Sequence, residues 1–194
     1  MNNNIATLEF QTTKKDYIEL VKYMPISRLL YWIQLGVVFL ISVAYYIYLR
    51  ISNEISIESS AALTAFHVIE ILASVLFLII IGTASHFAMI ANFKNSGKKL
   101  FYKFSHGNNS MQQVILDKKS NELLIGKVQQ QIPLDHHLTI VSTKQNYLFY
   151  YTKEKKPDKF FIPKNGDKDF EQDLQEVMNY ILKNKNIRYH SKNH

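Results

Sequence analysis

The chain has 194 residues, 23 Lys+Arg against 16 Asp+Glu, a net charge of +7 and no cysteine. The missing thiol excludes disulfide staples, thiolate nucleophiles and Cys-ligated zinc or iron–sulfur centres. The mean hydropathy of −0.12 averages two very different parts, which are read separately.

In Leu8-Glu9-Phe10-Gln11-Thr12 the apolar residues alternate with polar ones, which predicts a half-buried strand over 7–12. Thr13 with Asp16 three positions on resembles a capping box, and Tyr17, Leu20, Val21 and Met24 follow at helical spacing, so a short helix is expected up to Pro25. Residues 29–49 and 71–93 are then free of Asp, Glu, Lys and Arg. At a rise of ~1.5 Å per residue they make helices of roughly 31 and 34 Å, enough for a ~30 Å hydrocarbon core. Each run carries twelve Leu, Ile, Val or Phe residues, whose insertion propensities add to several kcal/mol in favour of the membrane. Tyr31 and Trp32 near one end, and Tyr45, Tyr46 and Tyr48 near the other, suit the two headgroup regions. No small-residue cleavage site follows the first run, so it reads as an uncleaved anchor.

Orientation follows from the cations. Lys14, Lys15, Lys22 and Arg28 precede the first run, and Lys94, Lys98, Lys99 and Lys103 follow the second, whereas residues 50–70 hold Arg50 against Glu54, Glu58 and Glu70. Both termini are therefore expected to be cytoplasmic. Residues 1–28 form an N-terminal piece, residues 29–93 a hairpin with an outer loop at 50–70, and residues 105–194 a soluble domain beginning after Ser105-His106-Gly107-Asn108-Asn109-Ser110.

Within that domain, strands are predicted at 111–117, 122–127, 138–143, 147–153 and 160–163, with a hairpin across Lys144-Gln145-Asn146. Phe170, Leu174, Val177, Met178 and Ile181 then share one face of a helix. Strands closed by one amphipathic helix describe an α+β roll.

Several segments together are similar to the YcxB-like family: Leu8-Glu9-Phe10-Gln11-Thr12 with Asp16-Tyr17; Gln131-Ile132-Pro133-Leu134; Leu138-Thr139-Ile140-Val141; Tyr147-Leu148-Phe149-Tyr150; and Phe161-Ile162-Pro163-Lys164. Leu134 stands where that family's pattern has tryptophan. The resemblance implies a bacterial cytoplasmic (inner) membrane protein with two membrane helices. It also implies a C-terminal pleckstrin-homology-like (PH-like) β-roll capped by a helix. It transfers no functional residue.

Chemistry-bearing residues are sparse. Lys94, Lys98, Lys99 and Lys103 lie next to the membrane, where each cation contributes ~1 kcal/mol of attraction to an anionic leaflet. Lys153, Lys155, Lys156 and Lys159 surround Pro157-Asp158, and Lys155 and Lys156 are the residues to test there. Inside the second run, His86 with Gly82 and Ser85, and Gln34 of the first run, are helix-packing candidates. His67 and Glu70, at i and i+3, read as ordinary polar residues at a helix start. Asp135-His136-His137 is the most metal-like local cluster but reads as a plain loop rather than a metal site, since adjacent histidines on a strand would point to opposite faces and seldom chelate one ion.

No phosphate loop, nucleophile elbow or metalloprotease helix is present in the sequence. The expectation is a membrane-anchored binding module, not an enzyme, with no cofactor and no nucleic-acid partner, that positions anionic lipid headgroups or a protein partner. An alternative is a membrane immunity protein against a membrane-targeted toxin. A third expectation is a homo-oligomeric transporter using His86.

Overall fold

In a computed structural model the described residues are 5–56, 60–104, 111–126, 129–153 and 158–192, with side chains described outside 54–63. They form an α+β protein of four helices and two sheets. The chain divides into two compact units, Pro25–Lys94 and a second made of Met1–Met24 with Asn95–His194.

The first unit is an antiparallel pair of helices, α2 (Pro25–Ser56) and the larger part of α3 (Ser60–Phe104). Both are long and apolar enough to cross a membrane, and only 11% of the most apolar window of each is buried within the protein. A core helix of a soluble protein would be mostly covered. Both helices also outrun the apolar segments expected at 29–49 and 71–93. Pro25 opens α2, a position where its missing N–H and fixed φ cost nothing. At the far end Arg50 and Asn53 bond across to His67 and Glu70, which holds the polar turns helical. The outer loop expected at 50–70 is therefore largely helix, leaving residues 57–59, outside the described residues, between α2 and α3.

The second unit begins with β1 (Ile5–Gln11) and α1 (Lys14–Lys22). Leu8 and Phe10 of β1 are buried between exposed neighbours, the alternation of a half-buried strand. Asp16 closes the start of α1 by accepting from Thr13 N at 2.8 Å and Thr13 Oγ1 at 2.7 Å. After α3 come β2 (Met111–Asp117), β3 (Glu122–Ile125), β4 (Gln130–Pro133), β5 (Leu138–Ser142), β6 (Asn146–Tyr151), β7 (Asp158–Pro163), α4 (Lys168–Lys183) and β8 (Arg188–Ser191). One sheet has the order β1-β2-β3-β4, antiparallel throughout; the other has the order β7-β6-β5-β8, in which β8 runs parallel to β5.

The division expected at residues 28 and 105 therefore shifts to 24 and 95. β1 pairs with β2 along its whole length, Ile5 opposite Asp117 and Gln11 opposite Met111, so the N-terminal piece is the edge of the domain's own sheet. Phe10 lies 6.2 Å from the rings of both Phe161 on β7 and Phe170 on α4. Tyr150, fully buried on β6, donates its hydroxyl to Leu20 O at 2.8 Å and satisfies one of the last carbonyls of α1. Asn146, also fully buried, donates from Nδ2 to Asp16 Oδ1 at 3.1 Å and to Glu19 Oε2. Phe170, Leu174, Val177, Met178 and Ile181 form the buried face of α4.

Candidate functional site: a cationic and aromatic face on α3

The last turns of α3 belong to the domain unit and are fixed there by close packing. Gly97 is buried so tightly against α1 that a Cβ on it would stand 2.5 Å from Ile18 Cα, so only glycine fits. One turn on, Phe101 meets Tyr17 edge-on at 5.8 Å and Phe104 lies parallel to the same ring at 6.3 Å. With Gly97, Leu100 and Phe101 turned inward, the helical period places Lys98, Lys99, Tyr102 and Lys103 on the opposite arc, and all four are exposed.

Lys14, at the start of α1, joins this arc. Its Nζ sits 4.9 Å from the centre of the Tyr102 ring and 5.8 Å from that of Phe101, while Lys103 Nζ is 5.8 Å from the Phe104 ring. Tyr102 and Phe104 are 62% and 55% exposed. Residues 94–104 contain no carboxylate. The result is a surface of Lys14, Lys98, Lys99 and Lys103 around exposed aromatic rings. That combination suits the boundary between water and lipid, where rings sit at headgroup level and lysine stems lie along apolar surface. Lys94, exposed and one turn earlier on the same helix, lies in the hairpin unit.

The other expected basic surface differs. Lys155 and Lys156 fall outside the described residues. Lys159 is half-buried, donates to the Met24 sulfur at 3.5 Å, and has its ammonium pKa pushed down by burial. Lys164 donates to Ser142 Oγ at 2.8 Å and lies 4.7 Å from the Tyr147 ring. Burial lowers its pKa too, while Glu19 acts in the opposite sense.

In the hairpin, Gln34 Nε2 donates to Ser85 O at 3.1 Å and to Ser85 Oγ, and the Tyr31 hydroxyl is hydrogen-bonded to His86 Nδ1 at 3.1 Å. His86 is otherwise exposed on the surface of the pair. Gly82 has open space around it rather than a closely packed helix. Beyond the stacked Tyr45–Phe77 pair, 4.6 Å between centroids, a polar cluster closes the far end. Asn53 Nδ2 donates to Glu70 Oε1 at 2.6 Å, Arg50 Nη1 to His67 Nδ1 at 2.6 Å, and His67 Nδ1 lies 3.3 Å from Glu70 Oε2. Glu70 is only 2% exposed. The sequence signal for this cluster is the matching i, i+3 spacing of Arg50/Asn53 and His67/Glu70 on the two helices.

Within the domain unit, a cleft of about 600 Å³ is lined by Glu9, Lys15, Asp16 and Asp167 among others. Two of its carboxylates are already engaged. Asp16 caps α1 and accepts from Asn146, and Asp167 caps α4 by accepting from Phe170 N at 2.8 Å. Comparison with protein-family models, with curated proteins and with solved structures finds no match.

Proposed function

We propose that this protein is a membrane-anchored binding module whose α3 face engages anionic lipid headgroups at the cytoplasmic surface of a bacterial inner membrane. The hairpin spans the bilayer, with both termini on the side that carries Lys14, Lys98, Lys99 and Lys103. The observation that carries the reading is the continuity of α3: an apolar helix passes directly into an arc of exposed lysines and aromatic rings. Four cations at ~1 kcal/mol each give a headgroup attraction of about 4 kcal/mol, enough to select anionic over neutral lipid.

The domain is read as a PH-like roll. A four-stranded antiparallel meander, three further antiparallel strands and a closing helix support that reading, with the membrane hairpin inserted between α1 and β2. The role is non-catalytic: of the cleft's carboxylates Asp16 and Asp167 serve as helix caps and Glu9 accepts from Gln113 Nε2 at 3.0 Å, and positioning at the membrane is the mechanism.

The test is lipid retention. Full-length protein reconstituted in mixed nanodiscs of phosphatidylglycerol and phosphatidylcholine is extracted, and its co-purifying lipid is measured by native mass spectrometry. Wild type retains phosphatidylglycerol preferentially, and the Lys98→Glu, Lys99→Glu, Lys103→Glu variant loses the preference. Retention of both lipids in proportion to their supply by wild type would refute the reading.

A further inference from the structure

We propose that the turn between β4 and β5 is a divalent transition-metal site with Asp135, His136 and His137 as its ligands. On a strand, neighbouring histidines would diverge. Here residues 135–137 form a turn instead, closed by Leu138 N donating to Asp135 O at 3.1 Å. Both imidazoles consequently lie side by side, with ring centroids 4.0 Å apart. One ligand atom from each histidine and a carboxylate oxygen of Asp135 fall within 4.8 Å of one another. Metal–ligand bonds of about 2.1 Å set ligand atoms ~3.4 Å apart in a tetrahedral site, so closure needs side-chain rotations on the order of 1 Å.

The surroundings hold these groups in place. Asp135 Oδ1 accepts from His137 N at 2.8 Å, folding the carboxylate back over the turn, and Oδ2 accepts from the Tyr151 hydroxyl at 3.3 Å. The His137 ring meets Tyr151 edge-on at 6.1 Å. The backbone is anchored on both sides: Leu134 O accepts from Asn184 Nδ2 at 2.7 Å, and His137 O accepts from Thr152 N at 3.2 Å. A carboxylate already hydrogen-bonded by a phenol and an amide is a preoriented ligand with lone pairs to spare. Two imidazole nitrogens and one oxygen suit zinc, cobalt, nickel or copper over magnesium or calcium. Three protein ligands leave the remaining position to water.

The test uses full-length, tag-free protein in detergent, stripped of metal and titrated with Zn²⁺ by calorimetry and with Co²⁺ by visible absorption. The expected result is one Zn²⁺ per chain and a cobalt d–d band. His136→Ala and His137→Ala, and Asp135→Asn, which preserves the turn's side-chain acceptor, each weaken affinity by at least ~10-fold. His190→Ala, on β8, leaves it unchanged. His136 is exposed, so its replacement keeps the fold, which far-ultraviolet circular dichroism verifies. Absence of stoichiometric Zn²⁺ binding by wild type, or binding undiminished in the His136→Ala/His137→Ala double variant, overturns the proposal.

Discussion

The two units obey the same hydrophobic rule with opposite outcomes. In the domain, Leu8, Phe10, Leu116, Leu148, Phe149 and Phe161 are buried and, among the described residues, the charged side chains other than Asp16 are not. In the hairpin, Leu29, Trp32, Phe39, Leu40, Leu72 and Phe87 are each more than half exposed, while Ser27, Ser42 and Glu70 are among the buried residues. An apolar medium favours an inversion of this kind, because lipid tails solvate Leu and Phe as well as a protein core does. The domain buries a continuous apolar core, whereas the contacts between the hairpin's helices include the Gln34–Ser85, Tyr31–His86 and Asn53–Glu70 hydrogen bonds beside the Tyr45–Phe77 stack.

The largest test of that contrast is Phe161→Ala. The ring is buried against Phe10 and Tyr17, and its loss should cost about 3–5 kcal/mol of domain stability, measured by denaturant unfolding in mild detergent. Tyr150→Phe follows, removing the hydroxyl that satisfies Leu20 O, for about 1 kcal/mol.

The same residue gives a pH signature. Burial, the leading cause for each, raises the pKa of Tyr17, Tyr147 and Tyr150 above the usual 10.0. Their protons are kept by the folded state after the unfolded chain has released them. The stability they contribute is fully present below pH 10.0 and is lost as pH rises through the folded values. Tyr150→Phe should make the alkaline decline shallower.

In the hairpin, Gln34→Leu should cost only ~0.6 kcal/mol, the usual strength of a polar contact between membrane helices, and a double-mutant cycle with Ser85→Ala isolates that coupling. Smallest is Leu40→Ala. The residue is 65% exposed, and its truncation should change hairpin stability by less than ~0.5 kcal/mol. A loss comparable to that of Phe161→Ala would show that Leu40 faces protein instead of lipid.

How far the sequence reveals this arrangement depends on where the stabilisation resides. Local patterns announce themselves: the alternation around Leu8 and Phe10, the Thr13/Asp16 cap, the 111–117 strand and the apolar face of α4 are all visible before folding. β4 offers only Ile132 as a buried residue, and β8 is exposed at all four positions. Both owe their existence to backbone pairing with a neighbour, which no local periodicity encodes. The same holds at the α3 face. Its lysines are obvious in the sequence, but their common arc follows from Gly97 meeting Ile18, and the contribution of Lys14 from the α1 packing. The loop expected at Asp135-His136-His137 is a turn in the structure, and the closeness of the two imidazoles follows from that turn rather than from any pattern in the sequence.

The absence of native cysteine makes one measurement especially direct. Single cysteines at Leu40 and Lys99 are exposed to a membrane-impermeant maleimide, first in intact cells and then after the membrane is opened without detergent. The account predicts no labelling of either in intact cells, and labelling of Lys99→Cys alone once the cytoplasmic side is accessible. Labelling of Leu40→Cys from water as readily as Lys99→Cys would contradict a hairpin seated in lipid.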